Sequence, residues 1–242
     1  MNLPLHDVQT YFAKLYGRRN LFVNGSLPER ALHMTRRIGR LADAERKSER
    51  MPGRLARAFS YFMSVVNYFG GELDLARGMM AKFPSYGCCY CHKKPCDCLS
   101  GHRPAPIERE PDVLQFKWTI HDWQKHLFEV YGPNNLKRGF WEVHGRLSSE
   151  FGELGILNIK GPDTPITPDL ILKECELEAA DVFSWIIAIA YIKGIDLQDE
   201  VEKRYKACPG CHKVPCDCPV VFLSPDGKFF STVGTDRYTS TT

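Results

Sequence analysis

Four carboxylates at helical spacing lie in the second half of the chain. Glu150 and Glu153 are three residues apart, and so are Glu178 and Asp181. Residues i and i+3 share a helix face, so each pair points its acids in one direction. Asp181 sits at the mouth of the apolar run Val182–Ile192, where an unpaired carboxylate would be costly. Two such pairs facing each other across a helix bundle make an all-oxygen cage suited to Mg²⁺ or Mn²⁺, with positions left for phosphate oxygens and water. Glu150 and Glu153 alone fit an ordinary solvated helix face better than a metal site; the metal reading rests on the four together.

A second chemistry is written in cysteine. Cys88, Cys91, Cys96 and Cys98 follow the pattern C-x2-C-x4-C-x-C, and Cys208, Cys211, Cys216 and Cys218 repeat it. Four thiolates so close in sequence, with a proline turning the chain between pairs, suit one tetrahedral Zn²⁺ each. A closed four-thiolate shell leaves no place for substrate, so two structural zinc ions are expected. His92 and His212 follow a ligand directly and read as supporting or exposed residues; Cys89 reads as a bystander and Cys175 as a buried helix thiol. Zinc also changes the charge. The formal net charge is +3, and eight thiolates with two zinc ions bring it to about −1. No basic stripe remains to suggest nucleic acid. The aromatics Phe59, Tyr61, Phe62, Phe183 and Trp185 fall in apolar helical runs, as core residues do.

The cysteine motif is one part of a longer repeat. Asp7-Val8-Gln9 through Asn20 matches Asp122-Trp123-Gln124 through Asn135; Gly39-Arg40-Leu41 matches Gly145-Arg146-Leu147; Phe59-Ser60-Tyr61 matches Phe183-Ser184-Trp185. The order is kept, so two homologous helical modules are expected over residues 1–98 and 116–218. A linker over 99–115 separates them, with three prolines in Leu99–Pro111, and a tail covers 219–242. The fold class is all-α: two tandem helix bundles, each ending in a small zinc knuckle, with a short β-hairpin expected around Pro225-Asp226-Gly227 and a frayed polar end beyond it. In the second module, a helix over Asp122–Tyr131 is expected to end near Gly132-Pro133. A second helix then runs over Lys137–Leu157, a third from Thr167 or Asp169 to about Lys193 before Gly194, and a last one over Leu197–Lys206, capped by Asp196. With 43% hydrophobic and 25% charged residues, the composition excludes disorder, collagen and a disulfide-dense miniprotein. Met1–Phe12 lacks the apolar core of a secretory signal, and Val182–Ile192 is too short to span a bilayer. Ten cysteines without such a signal suggest metal ligation in a reducing cytoplasm.

The segments Glu150-Phe151-Gly152-Glu153-Leu154 and Glu178-Ala179-Ala180-Asp181-Val182, followed by Gly194-Ile195-Asp196-Leu197, resemble the E-x-x-E … E-x-x-D signature of MazG-type nucleotide pyrophosphohydrolases. These belong to the all-α NTP pyrophosphatase superfamily. The resemblance covers about Asp122–Lys206 and extends more weakly to Asp7–Phe83. It implies a helical bundle that holds Mg²⁺ through Glu150, Glu153, Glu178 and Asp181 and hydrolyses a nucleoside triphosphate between its α and β phosphates. One glutamate would also position the water. The resemblance further places Lys203 and Arg204 where relatives carry basic phosphate contacts. Two positions depart from the pattern: Ser149 stands where many relatives have another Glu, and Tyr191 where many have an Asn. Asn67 occupies that Asn position in the first module.

The first module has lost the acids. Ala44 and Lys47 stand opposite Glu150 and Glu153, and Arg54 and Arg57 stand opposite Glu178 and Asp181. Divalent-cation binding is therefore not expected there. Relatives usually assemble as dimers, so the first module is expected to pack on the second as an intrachain pseudo-dimer, giving a monomer or a further homodimer. Its arginines could contact substrate phosphates. The competing reading is a non-catalytic protein on the same scaffold, either a nucleotide sensor or a zinc-dependent interaction module.

Overall fold

Helix boundaries follow capping chemistry closely. The computed structural model describes residues 2–23, 26–98, 112–157, 168–223 and 229–232. Seven α-helices account for most of these residues: α1 (Leu5–Val23), α2 (Leu27–Arg46), α3 (Pro52–Val66), α4 (Leu75–Lys82), α5 (Ile120–Leu157), α6 (Pro168–Ile192) and α7 (Leu197–Tyr205). Ser26 and Glu29 form a reciprocal capping box at the start of α2. Asp74 caps α4 by accepting from the N–H groups of Ala76 and Arg77, and Asp196 caps α7 by accepting from Asp199. Gly194 follows α6 with φ +62°, the left-handed conformation that ends helices at low cost when the residue is glycine.

The break expected at Gly132-Pro133 lies elsewhere. Helical hydrogen bonding runs from Ile120 to Leu157 and is interrupted at Gly139, with φ 71° and ψ 178°. Only glycine adopts that backbone without strain, so the bend forms there and the helix tolerates Pro133. Residues 99–111 of the expected linker lie outside the described residues. The last three of its span join a 3₁₀ turn, Val113–Lys117, in which Gln115 is fully buried and donates to the Phe83 carbonyl. At the C-terminal end, β1 (Val220–Leu223) and β2 (Phe229–Thr232) pair antiparallel, with Val221 opposite Ser231. The turn between them and residues 233–242 lie outside the described residues.

One buried core draws on both halves of the chain. At its centre the Phe183 ring lies 5.7 Å from that of Phe59 and 6.4 Å from that of Phe62, all three side chains fully buried. Two side-chain networks recur in the two halves. Gln9 donates to the Leu73 carbonyl and accepts from the Leu75 N–H; Gln124 does the same with Ile195 and Leu197. His6 meets the cap Asp74 at 3.0 Å, and His121 meets the cap Asp196 at 2.9 Å. Terminal elements cross over: α4 packs on α6, and α7 packs on α3. The Cys96 N–H donates to the Val130 carbonyl on α5, and the Cys216 N–H donates to the Leu15 carbonyl on α1. Among the described residues, no helix is long and apolar enough to cross a membrane.

Candidate metal centres

The carboxylates come together where the second half of α5 faces α6. Glu150, Glu178 and Asp181 each offer an oxygen, and these atoms all lie within 4.8 Å of one another. All three residues are half-buried. Glu153 lies outside this trio: it is exposed, one helical turn beyond Glu150, and accepts from Ser149 Oγ at 3.4 Å. Burial and then the neighbouring Asp181 and Glu153 charges raise the Glu150 carboxyl. Glu178 is pushed up to about 7, chiefly by burial; Lys82 opposes the shift, and Asp181 and Glu150 add to it. Its Oε2 is buried without a hydrogen-bond partner. Three hard oxygen donors in mutual repulsion, one of them orphaned, are a donor set that fits Mg²⁺ or Mn²⁺.

Two further residues reach this site, and the sequence reading assigned neither to it. Lys82, in the last turn of α4, pairs with Asp181 Oδ2. Trp185, read as core from its apolar run, donates to Glu150 and is only partly buried. Lys82 is brought in by a close helix crossing. A Cβ on Gly78 would lie 2.3 Å from the Glu176 carbonyl oxygen, so only glycine permits this approach of α4 to α6. Glu176 fastens the crossing by accepting from Arg77 and from the Asp74 N–H, with its own side chain 6% exposed.

The basic and amide candidates lie apart from these acids. Asn67 donates to the Gln9 carbonyl at 3.1 Å. Lys203 is exposed and pairs with Glu200 at 3.0 Å. Arg54 pairs with Glu49. Arg54, Arg57 and Arg204 line a separate cleft formed by α2, α3 and α7. Arg204 corresponds to Lys82 through the repeat, since both lie eight residues after their cap aspartates. That correspondence was the available signal for Lys82.

Both cysteine groups close into compact clusters. The sulfurs of Cys88, Cys91, Cys96 and Cys98 all lie within 4.8 Å of one another, and those of Cys208, Cys211, Cys216 and Cys218 do likewise. Sulfur pairs stand at 3.7 Å (Cys88–Cys98), 3.8 Å (Cys91–Cys96), 3.5 Å (Cys208–Cys218) and 4.0 Å (Cys211–Cys216). A tetrahedral ion with Zn–S bonds near 2.3 Å holds sulfurs about 3.8 Å apart, so both clusters could hold zinc. Backbone donors favour the thiolate at one cysteine of each cluster, while burial raises Cys96, Cys98, Cys216 and Cys218. Burial pushes Cys88 up, but the N–H groups of Cys91 and Tyr90 draw its thiol down to about 7. The Asp217 N–H draws Cys211 to about 6. His92 and His212 are not ligands in this geometry; they turn the loops with φ of 60° and 57°. Cys89 and Cys175 lie outside the clusters. No protein-family model, curated protein or solved structure matches the chain.

Proposed function

We propose that the chain is a Mg²⁺-dependent nucleoside triphosphate pyrophosphohydrolase, built as two tandem MazG-like units that form an intrachain pseudo-dimer with one active site. The observation that carries this reading is the convergence of Glu150, Glu178 and Asp181 on one point, with Lys82 beside them. The repeated contacts of Gln9 with Gln124, and the crossing of α4 and α7, support the pseudo-dimer. The two cysteine clusters hold structural Zn²⁺, and free thiols throughout suit a reducing cytoplasm.

A Mg²⁺ or Mn²⁺ ion held by Glu150, Glu178 and Asp181 supplies neutralisation of phosphate charge. Lys82 leaves Asp181 for a phosphate oxygen when substrate arrives, which adds a second positive contact from the other unit. Glu153, the acid outside the trio, orients the attacking water and accepts its proton. The water oxygen bonds to the α phosphorus, the α–β bridging bond breaks, and pyrophosphate leaves with that electron pair. Products are a nucleoside monophosphate and pyrophosphate.

The ion pair between Lys82 and Asp181 also favours a second reading, in which the site senses nucleotide without turnover. Pyrophosphate release from a panel of ribo- and deoxynucleoside triphosphates, with Mg²⁺, separates the two. Release by the wild type that Glu178→Gln abolishes supports the enzyme. A folded, zinc-loaded wild type that binds nucleotide without releasing pyrophosphate supports the sensor.

A further inference from the structure

Where the first half matches the acid site, the cleft is wide and basic. Six cations line it: Arg40 from α2, Lys47 and Arg50 from the segment that follows it, Arg54 and Arg57 from α3, and Arg204 from α7. Its volume is about 1020 Å³, and the only carboxylates in its lining are Asp43 and Glu200. Both are engaged elsewhere, Asp43 with Arg46 and Glu200 with Lys203. Arg40, Arg50, Arg57 and Arg204 form no ion pair among the described residues, and the Nε of Arg204 is buried without a partner. Burial and then the Arg204 charge lower Arg57; Arg37 and Arg36 lower Arg40. Such a set is held together against its own repulsion.

The cleft lies where the counterparts of a close helix crossing carry larger residues. Glu200 and Pro52 are the repeat counterparts of Gly78 and Glu176, the pair whose close approach seals α4 against α6. With glutamate in place of glycine, α7 cannot seat as deeply, and both Glu200 and Pro52 line the cleft. Pro52 and Gly53 also bring the N-terminal end of α3 to its wall, and no side chain caps that helix. Pro52 has no N–H and those of Arg54 and Leu55 donate to the Met51 carbonyl, so the helix end adds little beyond its dipole and the guanidinium groups carry the site.

We infer that this cleft is a metal-independent binding site for a di- or triphosphate chain, distinct from the acid site. A chain of that kind carries about three to four negative charges at neutral pH, which matches the excess of lining cations. Guanidinium forks grip phosphate oxygens two at a time. The six cations converge on one open cleft rather than running along a surface stripe, which favours a short chain over a nucleic acid. The chain could come from inorganic polyphosphate or from a nucleotide. An adjoining pocket shares Arg57 and Arg204 and presents Tyr16, Tyr61 and Tyr205.

Calorimetric titration with inorganic tripolyphosphate, without added divalent cation, tests the site. One equivalent should bind, with affinity at least ~10-fold weaker in Arg54→Gln/Arg57→Gln and in the surface pair Lys47→Gln/Arg50→Gln. Glu178→Gln should bind as the wild type does, which separates this site from any failure of the acid site. Equal affinity for a nucleoside triphosphate assigns the site to the phosphate chain alone; tighter binding of the nucleotide assigns it to phosphate and base together. No tripolyphosphate binding by the wild type, equal binding by both double variants, or binding of single-stranded RNA that tripolyphosphate fails to displace would overturn the inference.

Discussion

The acid site and the basic cleft occupy matching places on one scaffold and carry opposite charge. Glu178 and Asp181 on α6 correspond to Arg54 and Arg57 on α3, and each site receives a cation from a helix of the other half, Lys82 or Arg204. Charge at each site is set by a handful of side chains, whereas the glutamine and histidine contacts to the cap segments recur in both halves. The halves also differ at the helix that lends the cation. Gly78 closes α4 onto α6 around a small cluster, and Glu200 holds α7 off α3 around a cleft. A metal cage needs converging oxygens at short range; a phosphate chain needs room and spread-out cations.

The cysteine clusters should be the most sensitive equivalent pair. If each holds structural zinc, whose binding is worth about 10 kcal/mol or more in small zinc domains, then Cys96→Ser and Cys216→Ser should each lower the thermal midpoint by more than ~10 °C. Elemental analysis should find two zinc ions in the wild type and one in each variant. A large loss in one variant alone would break the equivalence of the halves. Phe183→Ala, at the junction of both halves, should cost about 3–5 kcal/mol in urea unfolding while keeping a single transition. Two separated transitions would show that the halves are independent.

His126 makes stability depend on pH through the second half. It is 4% exposed and lies beside Trp118 and Trp123. Burial, then the Lys94 charge, lowers it to about 4 from an ordinary value of 6.5. A histidine lowered on folding contributes stability above its unfolded value and loses it as pH falls through the folded one. The wild type should therefore lose about 2–3 kcal/mol between pH 6.5 and 4 beyond what His126→Phe loses, read from urea midpoints across that range. Equal losses would refute the assignment. The smallest effects separate the two crossings. Gly78→Ala should cost about 1–3 kcal/mol through overpacking, and Glu200→Ala about 0.5 kcal/mol or less. Gly78→Ala should also reduce pyrophosphate release several-fold by moving Lys82.

Much of this was legible in the sequence because it is periodic. The i, i+3 carboxylates, the cysteine spacing, the cap Asp196 and the stop at Gly194 all depend on near neighbours. So does the hairpin pairing of Val220–Leu223 with Phe229–Thr232. What the sequence left open depends on which helix faces which. Glu153 shares a helix with Glu150 yet projects one turn further out, beyond the meeting point with α6. Lys82 reaches Asp181 from 99 residues away, through a crossing that only Gly78 allows. The arginines of α3 were visible as charge reversals, but their grouping with Arg204 in a cleft of their own needed the geometry of α7. The helix break at Gly139 was hidden because Pro133 gives the stronger local signal.

The most direct test of the split between the sites is Mn²⁺ binding, followed by electron paramagnetic resonance as free ion disappears. The wild type and Arg54→Gln/Arg57→Gln should bind Mn²⁺ alike, and Glu178→Gln should lose that binding by at least ~10-fold. Equal Mn²⁺ binding by Glu178→Gln would contradict the placement of the metal at Glu150, Glu178 and Asp181.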